Sequence, residues 1–189
     1  MPGPLSSVTE PWRSFLAAID EALETTTRLD CIGGFVLTLL YGMGRPTADV
    51  DVLEIAPPES SEPISRLAFQ GGPLHRKYGV YLQYVGPGIA CVPEDYERRL
   101  TEMFPGVFEH LRIMALDPYD LALSKLERNI QRDRDDVRHL ARTIPFDLDL
   151  LRRRYQTELR WQMARPERED LTLDLWIDAI REERKERSE

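Results

Sequence analysis

The chain has 189 residues, of which 42% are hydrophobic and 31% charged, and its formal net charge is -8. This length and composition allow one well-buried core with a small appended unit, and they exclude an intrinsically disordered chain. The acidic balance argues against broad, sequence-independent binding of nucleic acid, although a local basic patch could hold one RNA end. Cys31 and Cys91 lie in apolar surroundings without a paired Cys/His spacing, which predicts reduced core thiols.

The first residues and the apolar segments predict a cytoplasmic protein. Residues 1–4 lack the charged and apolar regions of a signal peptide. No apolar run is long enough to span a bilayer, so we expect no membrane partner.

The first 116 residues alternate short apolar segments with glycine and proline breaks. Trp12, Phe15 and Ile19 recur at helical spacing, which predicts an amphipathic helix. Short apolar runs bounded by turn residues predict strands. In chain order we expect helices over residues 9–28, 35–40 and 64–74, strands over residues 29–32, 48–55, 80–85 and 110–116, and a tight turn at residues 33–34.

From residue 117 onward the pattern becomes helical. Asp117 can cap a helix that has Pro118 at its first position, which is a favourable pairing. The fold class is therefore α/β, a small mixed sheet flanked by helices, with residues 1–116 as the core and a helical part over residues 117–189 packed on it. Further helices are expected over residues 135–142, 148–163 and 170–183.

Asp49 and Asp51 are the first candidates for chemistry. Side chains alternate between the two faces of a strand, so these two carboxylates share one face and Val50 and Val52 take the other. Adjacent carboxylates repel each other unless a cation lies between them, and magnesium prefers such ligands together with substrate phosphates. Two exposed aspartates on an edge strand are the alternative, which this triplet alone leaves open.

The glycine pair Gly33–Gly34 is a candidate phosphate-binding feature that precedes the carboxylates. Glycines between a strand and a helix let the backbone approach a ligand closely and offer the free amides of a helix N-terminus to an anion. A tight turn that needs positive φ is the alternative. A phosphate-holding turn, one helix and two metal-ready carboxylates suit transfer from a triphosphate. Arg45 could neutralise phosphate charge and Thr47 could hydrogen-bond near the metal, although ordinary loop roles stay open for both.

These motifs resemble a known superfamily. Residues 32–34 and 49–52, Ile-Gly-Gly followed by Asp-Val-Asp-Val, resemble the nucleotidyltransferase signature. Residues 45–51 are similar to the Arg-x-Ser/Thr-x-Asp-x-Asp pattern of AbiEii-type toxins and related minimal nucleotidyltransferases. A second block resembles their later region, in which a lysine, here Lys125, is followed by Arg-Asp-x-x-Asp-Val, here residues 132–137. The resemblance covers residues 29–140.

The resemblance implies a magnesium-dependent nucleotidyltransferase that moves NMP from an NTP to an acceptor hydroxyl. Structural alternatives remain for the later residues. Lys125 could be a solvated helix lysine, Asp133 could cap a helix, and Asp136 could pair with a neighbour one helical turn away. The roles that the resemblance implies are triphosphate binding for Gly33 and Gly34, metal binding for Asp49 and Asp51, phosphate contact for Lys125, and a base or positioning role for Asp133 or Asp136.

One departure from the superfamily concerns a third carboxylate. Many nucleotidyltransferases carry it on a later central strand, and the matching position here holds Gln83. A neutral amide is a poor substitute for a carboxylate beside a metal ion. The alternative function is therefore a catalytically decayed nucleotidyltransferase fold that serves as a binding or regulatory module.

The acceptor and the partners stay open at this point. An RNA end, a protein side chain or a small molecule could accept the nucleotide, and the likeness to toxins implies RNA or protein and an antitoxin partner. Residues 75–78, His-Arg-Lys-Tyr, form a compact basic cluster that could grip an acceptor's phosphates beside a stacking ring. A helix C-terminus that is stabilised by cations is the alternative for this cluster.

Overall fold

The computed structural model describes residues 8–86 and 89–187. It forms two compact units, Met1–Ile89 with Arg99–Leu116, and Ala90–Arg98 with Asp117–Glu189. Residues 1–4, on which the absence of a signal peptide was inferred, lie outside the described part. The predicted packing of residues 117–189 on the core stays a prediction.

The first unit is a five-stranded sheet with helices. Its helices are α1 (Trp12–Asp20), α2 (Gly33–Tyr41), α3 (Ser61–Ala68) and α4 (Pro73–Tyr78), and its strands are β1 (Thr27–Ile32), β2 (Asp49–Ala56), β3 (Tyr81–Tyr84), β4 (Thr101–Glu102) and β5 (Leu111–Ala115).

The sheet is mixed, as predicted. The strand order is β3-β2-β1-β5-β4. β1 runs antiparallel to β2 and parallel to β5, while β3 runs parallel to β2 and β4 antiparallel to β5. β1, which leads directly into α2, is therefore central, and β3 and β4 form the edges.

The two faces of the sheet differ in chemistry. Buried aliphatic residues of the three central strands form one face, where α1 and α2 meet through the rings of Trp12 and Phe35, whose centroids are 4.9 Å apart. Charged and polar residues occupy the other face. The buried residues of the apolar face include Leu29, Cys31, Val50, Val52, Leu111 and Ile113.

A β-bulge changes which residues of β2 lie on each face of the sheet. The register between β1 and β2 shifts at Asp30 and Cys31, so that Asp30 pairs with Glu54 while Cys31 pairs with Val52. The bulge inserts one residue, Leu53, and the strand alternation restarts after it. Glu54 therefore joins the polar face, which simple alternation would not predict.

Two predicted helices of the first unit are shorter than expected. The helix predicted over residues 9–28 ends at Asp20, and residues 27–28 already belong to β1. The β-branched run Thr25–Thr27 favours a strand over a helix at this point. The helix predicted over residues 64–74 is divided into α3 and α4, because Gly71 adopts a φ of 83° between them.

The second unit is helical, as predicted. Asp117 caps its first helix, since its Oδ1 accepts hydrogen bonds from the amides of Tyr119 at 3.0 Å and Asp120 at 2.9 Å. The helix predicted over residues 148–163 stops at Arg154 and continues as a π-helical turn over Tyr155–Leu159. The helices are α5 (Pro118–Leu123), α6 (Gln131–Thr143), α7 (Leu148–Arg154) and α8 (Pro166–Glu186). Among the residues that the structure describes, no helix combines the length and the apolar character needed to cross a membrane.

Candidate active site

Gly33 and Gly34, predicted as a tight turn, are the first two residues of α2, and Gly33 lies directly against Asp51. Ile32, the last residue of β1, is the register partner of Asp51 on β2. Gly33 follows with a φ of 76°, and a Cβ atom placed on it would lie 2.2 Å from Oδ2 of Asp51. Only glycine fits here, because any side chain would both strain the backbone and displace the carboxylate. The structure thus brings the predicted glycine turn and one predicted metal ligand together.

Asp49 and Asp51 share the polar face of β2. Both side chains are half-buried, whereas Val50 and Val52, which alternate with them, are fully buried. Strand alternation therefore directs the two carboxylates to the same side of the sheet. The hydroxyl of Thr47 donates a hydrogen bond to Oδ1 of Asp49 at 2.8 Å, which orients that carboxylate.

The N-terminus of α2 opens beside this carboxylate pair. The nine-residue helix begins at Gly33, and its N-cap residue Ile32 supplies no side-chain hydrogen bond. The first amides of an uncapped helix favour an anion. The loop from α2 to β2 is tied back, since Thr38 Oγ1 donates to the carbonyl oxygen of Arg45 at 2.9 Å. Arg45 therefore lies on a restrained loop that leads into β2.

Gln83 lies beside Asp51 on the neighbouring strand. The parallel register of β2 and β3 pairs Asp51 with Gln83 and Asp49 with Tyr81. Partners in a parallel pair direct their side chains to the same face, so the exposed Gln83 amide neighbours the Asp51 carboxylate. The position next to Asp51 is thus neutral.

These residues fit a magnesium ion. Magnesium is usually held by one or two carboxylates and keeps water and phosphate oxygens as its other ligands. Asp49 and Asp51 would supply the two carboxylates, and water and phosphate oxygens would be the other ligands. Within residues 8–86 and 89–187, no group of three or more His, Cys, Asp or Glu residues could hold a metal.

The thiol of Cys31 is an unsuitable ligand. Burial raises the pKa of Cys31 well above its ordinary value, and the negative charges of Asp30 and Asp51 raise it further. The group therefore stays a neutral thiol, whereas metal binding requires the thiolate.

Asp30 is a charged residue of the polar face that the sequence analysis missed. It is completely buried, and its Oδ1 lies 2.9 Å from Nε of Arg28. Arg28 also lies 3.6 Å from Glu54, which the bulge brings to the same face. An acid two residues after an arginine within an apolar strand is the sequence signal for such a pair, because both side chains then share a face.

Lys125, Asp133 and Asp136 come together in the second unit. Nζ of Lys125 lies 2.8 Å from Oδ2 of Asp136 and 4.0 Å from Oδ1 of Asp133. All three side chains are buried, with Lys125 only 6% exposed. We call these three residues the ionic cluster. The sequence placed all three in one block, and the structure shows that the lysine and the carboxylates neutralise one another.

Arg128 completes the charge balance around Asp133. Its Nε and Nη2 donate to the Asp133 carboxylate at 2.9 and 2.6 Å, and the amide of Ile130 donates to Oδ2 at 3.1 Å. Burial acts to raise the pKa of Asp133, but the bonds from Arg128 and Ile130 and the charge of Lys125 outweigh it and lower the pKa. Asp133 is thus ionised and lies in the first turn of α6, where its bond from the amide of Ile130 agrees with the alternative of a helix cap.

Comparisons with known proteins give one match. No curated protein and no solved structure matches the chain. A family described as "nucleotidyltransferase of unknown function (DUF6036)" matches residues 14–184, which include the glycine turn, the carboxylate pair and the ionic cluster. With most of its length matched, the chain belongs to this nucleotidyltransferase family.

Proposed function

We propose that the protein transfers a nucleoside monophosphate from a nucleoside triphosphate to an acceptor hydroxyl, with magnesium as cofactor. The close approach of Gly33 to Asp51 carries this proposal, because a Cβ atom would lie 2.2 Å from the carboxylate. The end of β1 and an uncapped helix that begins with two glycines meet at Asp51, which shares its sheet face with Asp49. Such a combination suits the phosphates of a metal-bound triphosphate.

The residues of the first unit have distinct proposed roles. The amides of Gly33 and Gly34 hold the phosphates, and Asp49 and Asp51 hold the metal. The hydroxyl of Thr47 keeps the Asp49 carboxylate in one orientation through its 2.8 Å hydrogen bond. When bound, magnesium neutralises charge on the phosphate oxygens.

The proposed reaction is a displacement at the α-phosphorus. The acceptor oxygen forms a bond to phosphorus, the bond to the bridging oxygen breaks, and pyrophosphate leaves with that electron pair. The acceptor proton passes to a base. By the resemblance, Asp133 or Asp136 is proposed as that base or as a positioning group, and Lys125 as a phosphate contact.

The proposal includes a role as the toxin of a toxin–antitoxin pair. It rests on the similarity of residues 45–51 to the AbiEii-type pattern, and it implies an RNA or protein acceptor and an antitoxin. Expression of the wild-type chain should then stop growth of a bacterial host, and the D49N/D51N variant should not. Equal growth of both strains would remove the toxin role but leave nucleotidyl transfer untouched.

Gln83 favours a second candidate, a binding module without catalysis. Its neutral amide lies next to Asp51, where a carboxylate would strengthen metal binding. The two candidates differ in turnover, because a binding module retains the triphosphate but releases no pyrophosphate.

Calorimetry with magnesium and each non-hydrolysable triphosphate tests the proposal. We expect binding to the wild-type chain and at least a tenfold loss of affinity in Asp49→Asn and Asp51→Asn. Asp178→Asn is a matched control, because it removes the same charge from an exposed position on α8. Equal affinity in all four proteins would refute the proposed site.

A further inference from the structure

The edge strand β3 presents two polar side chains beside the carboxylate pair. Tyr81 is in register with Asp49, and Gln83 is in register with Asp51. The amide of Tyr81 donates to the carbonyl oxygen of Ala48 at 3.0 Å, which fixes the start of β3 against β2. A phenol ring therefore lies beside one carboxylate and an amide beside the other, on the same face of the sheet.

The ring of Tyr81 is held by a second ring. His75 of α4 packs against it edge to face, with centroids 4.9 Å apart. Nδ1 of His75 accepts a hydrogen bond from the amide of Gly71 at 2.9 Å, so the imidazole is itself fixed. Two ordered rings thus form a platform at the edge of the sheet. Such rings bind flat ligands at a small cost in conformational entropy.

The side-chain amide of Gln83 and the hydroxyl of Tyr81 are free to bind a ligand. Gln83 is exposed, and among residues 8–86 and 89–187 neither its side-chain amide nor the Tyr81 hydroxyl has a hydrogen-bond partner. An amide offers a donor and an acceptor side by side, the pattern that matches the edge of a nucleobase. An aromatic ring supplies the stacking surface for the face of the base.

We propose that Tyr81, His75 and Gln83 form a nucleobase-binding subsite beside the Asp49–Asp51 pair. Tyr81, supported by His75, stacks on the base, and the amide of Gln83 hydrogen-bonds to its edge. This inference rests on the proposed function, because it takes the carboxylate pair to be the site of nucleotidyl transfer. It also gives Gln83 a role that a carboxylate would fill less well, since an ionised carboxylate accepts hydrogen bonds but donates none.

The base has two possible sources, which are the incoming triphosphate and the terminal nucleotide of an RNA acceptor. Arg76 and Lys77 follow His75 directly on α4 and are exposed, so this helix carries positive charge in a protein of net charge -8. Cations beside a stacking ring are typical of surfaces that bind single-stranded nucleic acid. Binding measurements can separate the two sources without requiring catalysis.

The experiment compares three probes on Tyr81→Leu and Gln83→Leu. Inorganic tripolyphosphate with magnesium reports the phosphate and metal site alone, a non-hydrolysable nucleoside triphosphate adds a base, and a fluorescein-labelled eight-nucleotide RNA reports an acceptor. We expect tripolyphosphate affinity to stay unchanged in both variants. Roughly tenfold weaker binding of the nucleoside triphosphate would assign the subsite to the donor, and the same loss for the RNA would assign it to the acceptor.

Two matched variants separate stacking from folding. Tyr81→Phe keeps the ring and should bind within about twofold of wild type if stacking dominates. Tyr84→Leu changes the exposed tyrosine of β3, whose register partner is the buried Val52 on the opposite face, and should leave all three probes unaffected. Thermal melting of each variant identifies a loss that comes from unfolding.

Two further outcomes count against the inference or its basis. If Tyr81→Leu and Gln83→Leu bind both the nucleoside triphosphate and the RNA as wild type does, the subsite is disproved. If tripolyphosphate with magnesium binds equally to wild type and D49N/D51N, the proposed function itself fails. The tripolyphosphate arm therefore distinguishes the two failures.

Discussion

The carboxylate pair of the first unit and the ionic cluster of the second unit carry similar residues in opposite environments. Asp49 and Asp51 are half-buried on a polar sheet face beside a turn without side chains. The ionic cluster is almost completely buried, and Lys125 lies 2.8 Å from Asp136. Both regions belong to the same sequence signature, so a motif alone does not predict whether its charged residues are partly solvated or paired in the core. Burial and charge balance make that distinction.

The difference has a physical origin in the cost of desolvation. A buried ion pair is stabilising only while both partners are present, because the remaining charge cannot return to water. Two half-buried carboxylates keep part of their hydration and gain most from a cation that arrives with its own water. Mutations should therefore damage folding in the ionic cluster and ligand binding at the carboxylate pair.

The largest expected effect is on the stability of the second unit. Asp136→Asn removes the charge that compensates Lys125 and should lower the free energy of unfolding by about 3–5 kcal/mol. Urea unfolding followed by circular dichroism measures this loss. Asp135→Asn is the control, because Asp135 is exposed on the same helix and should change stability by less than about 0.5 kcal/mol. Equal, small losses in both variants would show that Lys125 does not depend on Asp136.

The next effect concerns the proposed reaction rather than folding. Gly33→Ala places a Cβ atom against Oδ2 of Asp51, which must move away. A displacement of this kind should reduce nucleotidyl transfer by about 100-fold, equivalent to about 2.7 kcal/mol. Turnover of a labelled triphosphate measures this loss once the acceptor is identified. Until then, calorimetry with magnesium and tripolyphosphate measures the corresponding loss of binding.

Gly42 supplies the matched control for this change. Its φ is 67°, close to that of Gly33, but a Cβ atom there would meet nothing within 4 Å. Gly33→Ala and Gly42→Ala should thus lose similar stability, about 1–2 kcal/mol, from the left-handed backbone. Equal ligand binding in the two variants would mean that the contact between Gly33 and Asp51 has no functional consequence.

The sequence predicted the carboxylate pair better than the ionic contacts around it. Gly33, Asp49 and Asp51 carry local signals, because strand alternation and a glycine break need only neighbouring residues. Asp30 could not be placed on the polar face beside Glu54 in the same way. Its partner depends on the bulge between β1 and β2, which is a property of strand pairing and not of either strand alone.

The ionic cluster shows the same limit in a helical region. The sequence placed Lys125, Asp133 and Asp136 in one motif and left helix capping and pairing within one turn as alternatives. The lysine precedes α6, and its reach to Asp136 depends on how the chain turns between α5 and α6. Helix periodicity specifies neighbours three or four residues apart and gives no information on contacts across such a turn.

A smaller effect should appear in how the free energy of unfolding depends on pH. The lowered pKa of Asp133 means that its ionised form contributes stability above its unfolded pKa of about 3.9, and this contribution is lost as pH falls through the lower folded pKa. Arg128→Gln removes the largest of the contacts that lower this pKa, so the Asp133 pKa should rise toward its unfolded value and the stability lost in acid should become smaller. Carboxyl-carbon NMR titration and urea unfolding between pH 6 and 2 measure both changes. An unchanged Asp133 pKa in the variant would show that Arg128 does not stabilise the carboxylate.

The smallest effect tests whether the carboxylate pair needs orientation as well as charge. Thr47→Val removes the hydroxyl that donates to Asp49 at 2.8 Å, and it should cost about 1 kcal/mol in stability or less. Partners that orient a metal ligand often matter more for the ligand than for the fold, so magnesium affinity should fall about tenfold. Thr101→Val removes an exposed hydroxyl from the opposite edge strand, β4, and should leave that affinity unchanged. If Thr47→Val binds magnesium as wild type does, Asp49 is oriented by the strand alone, and the first unit then relies on backbone geometry where the second unit relies on paired charges.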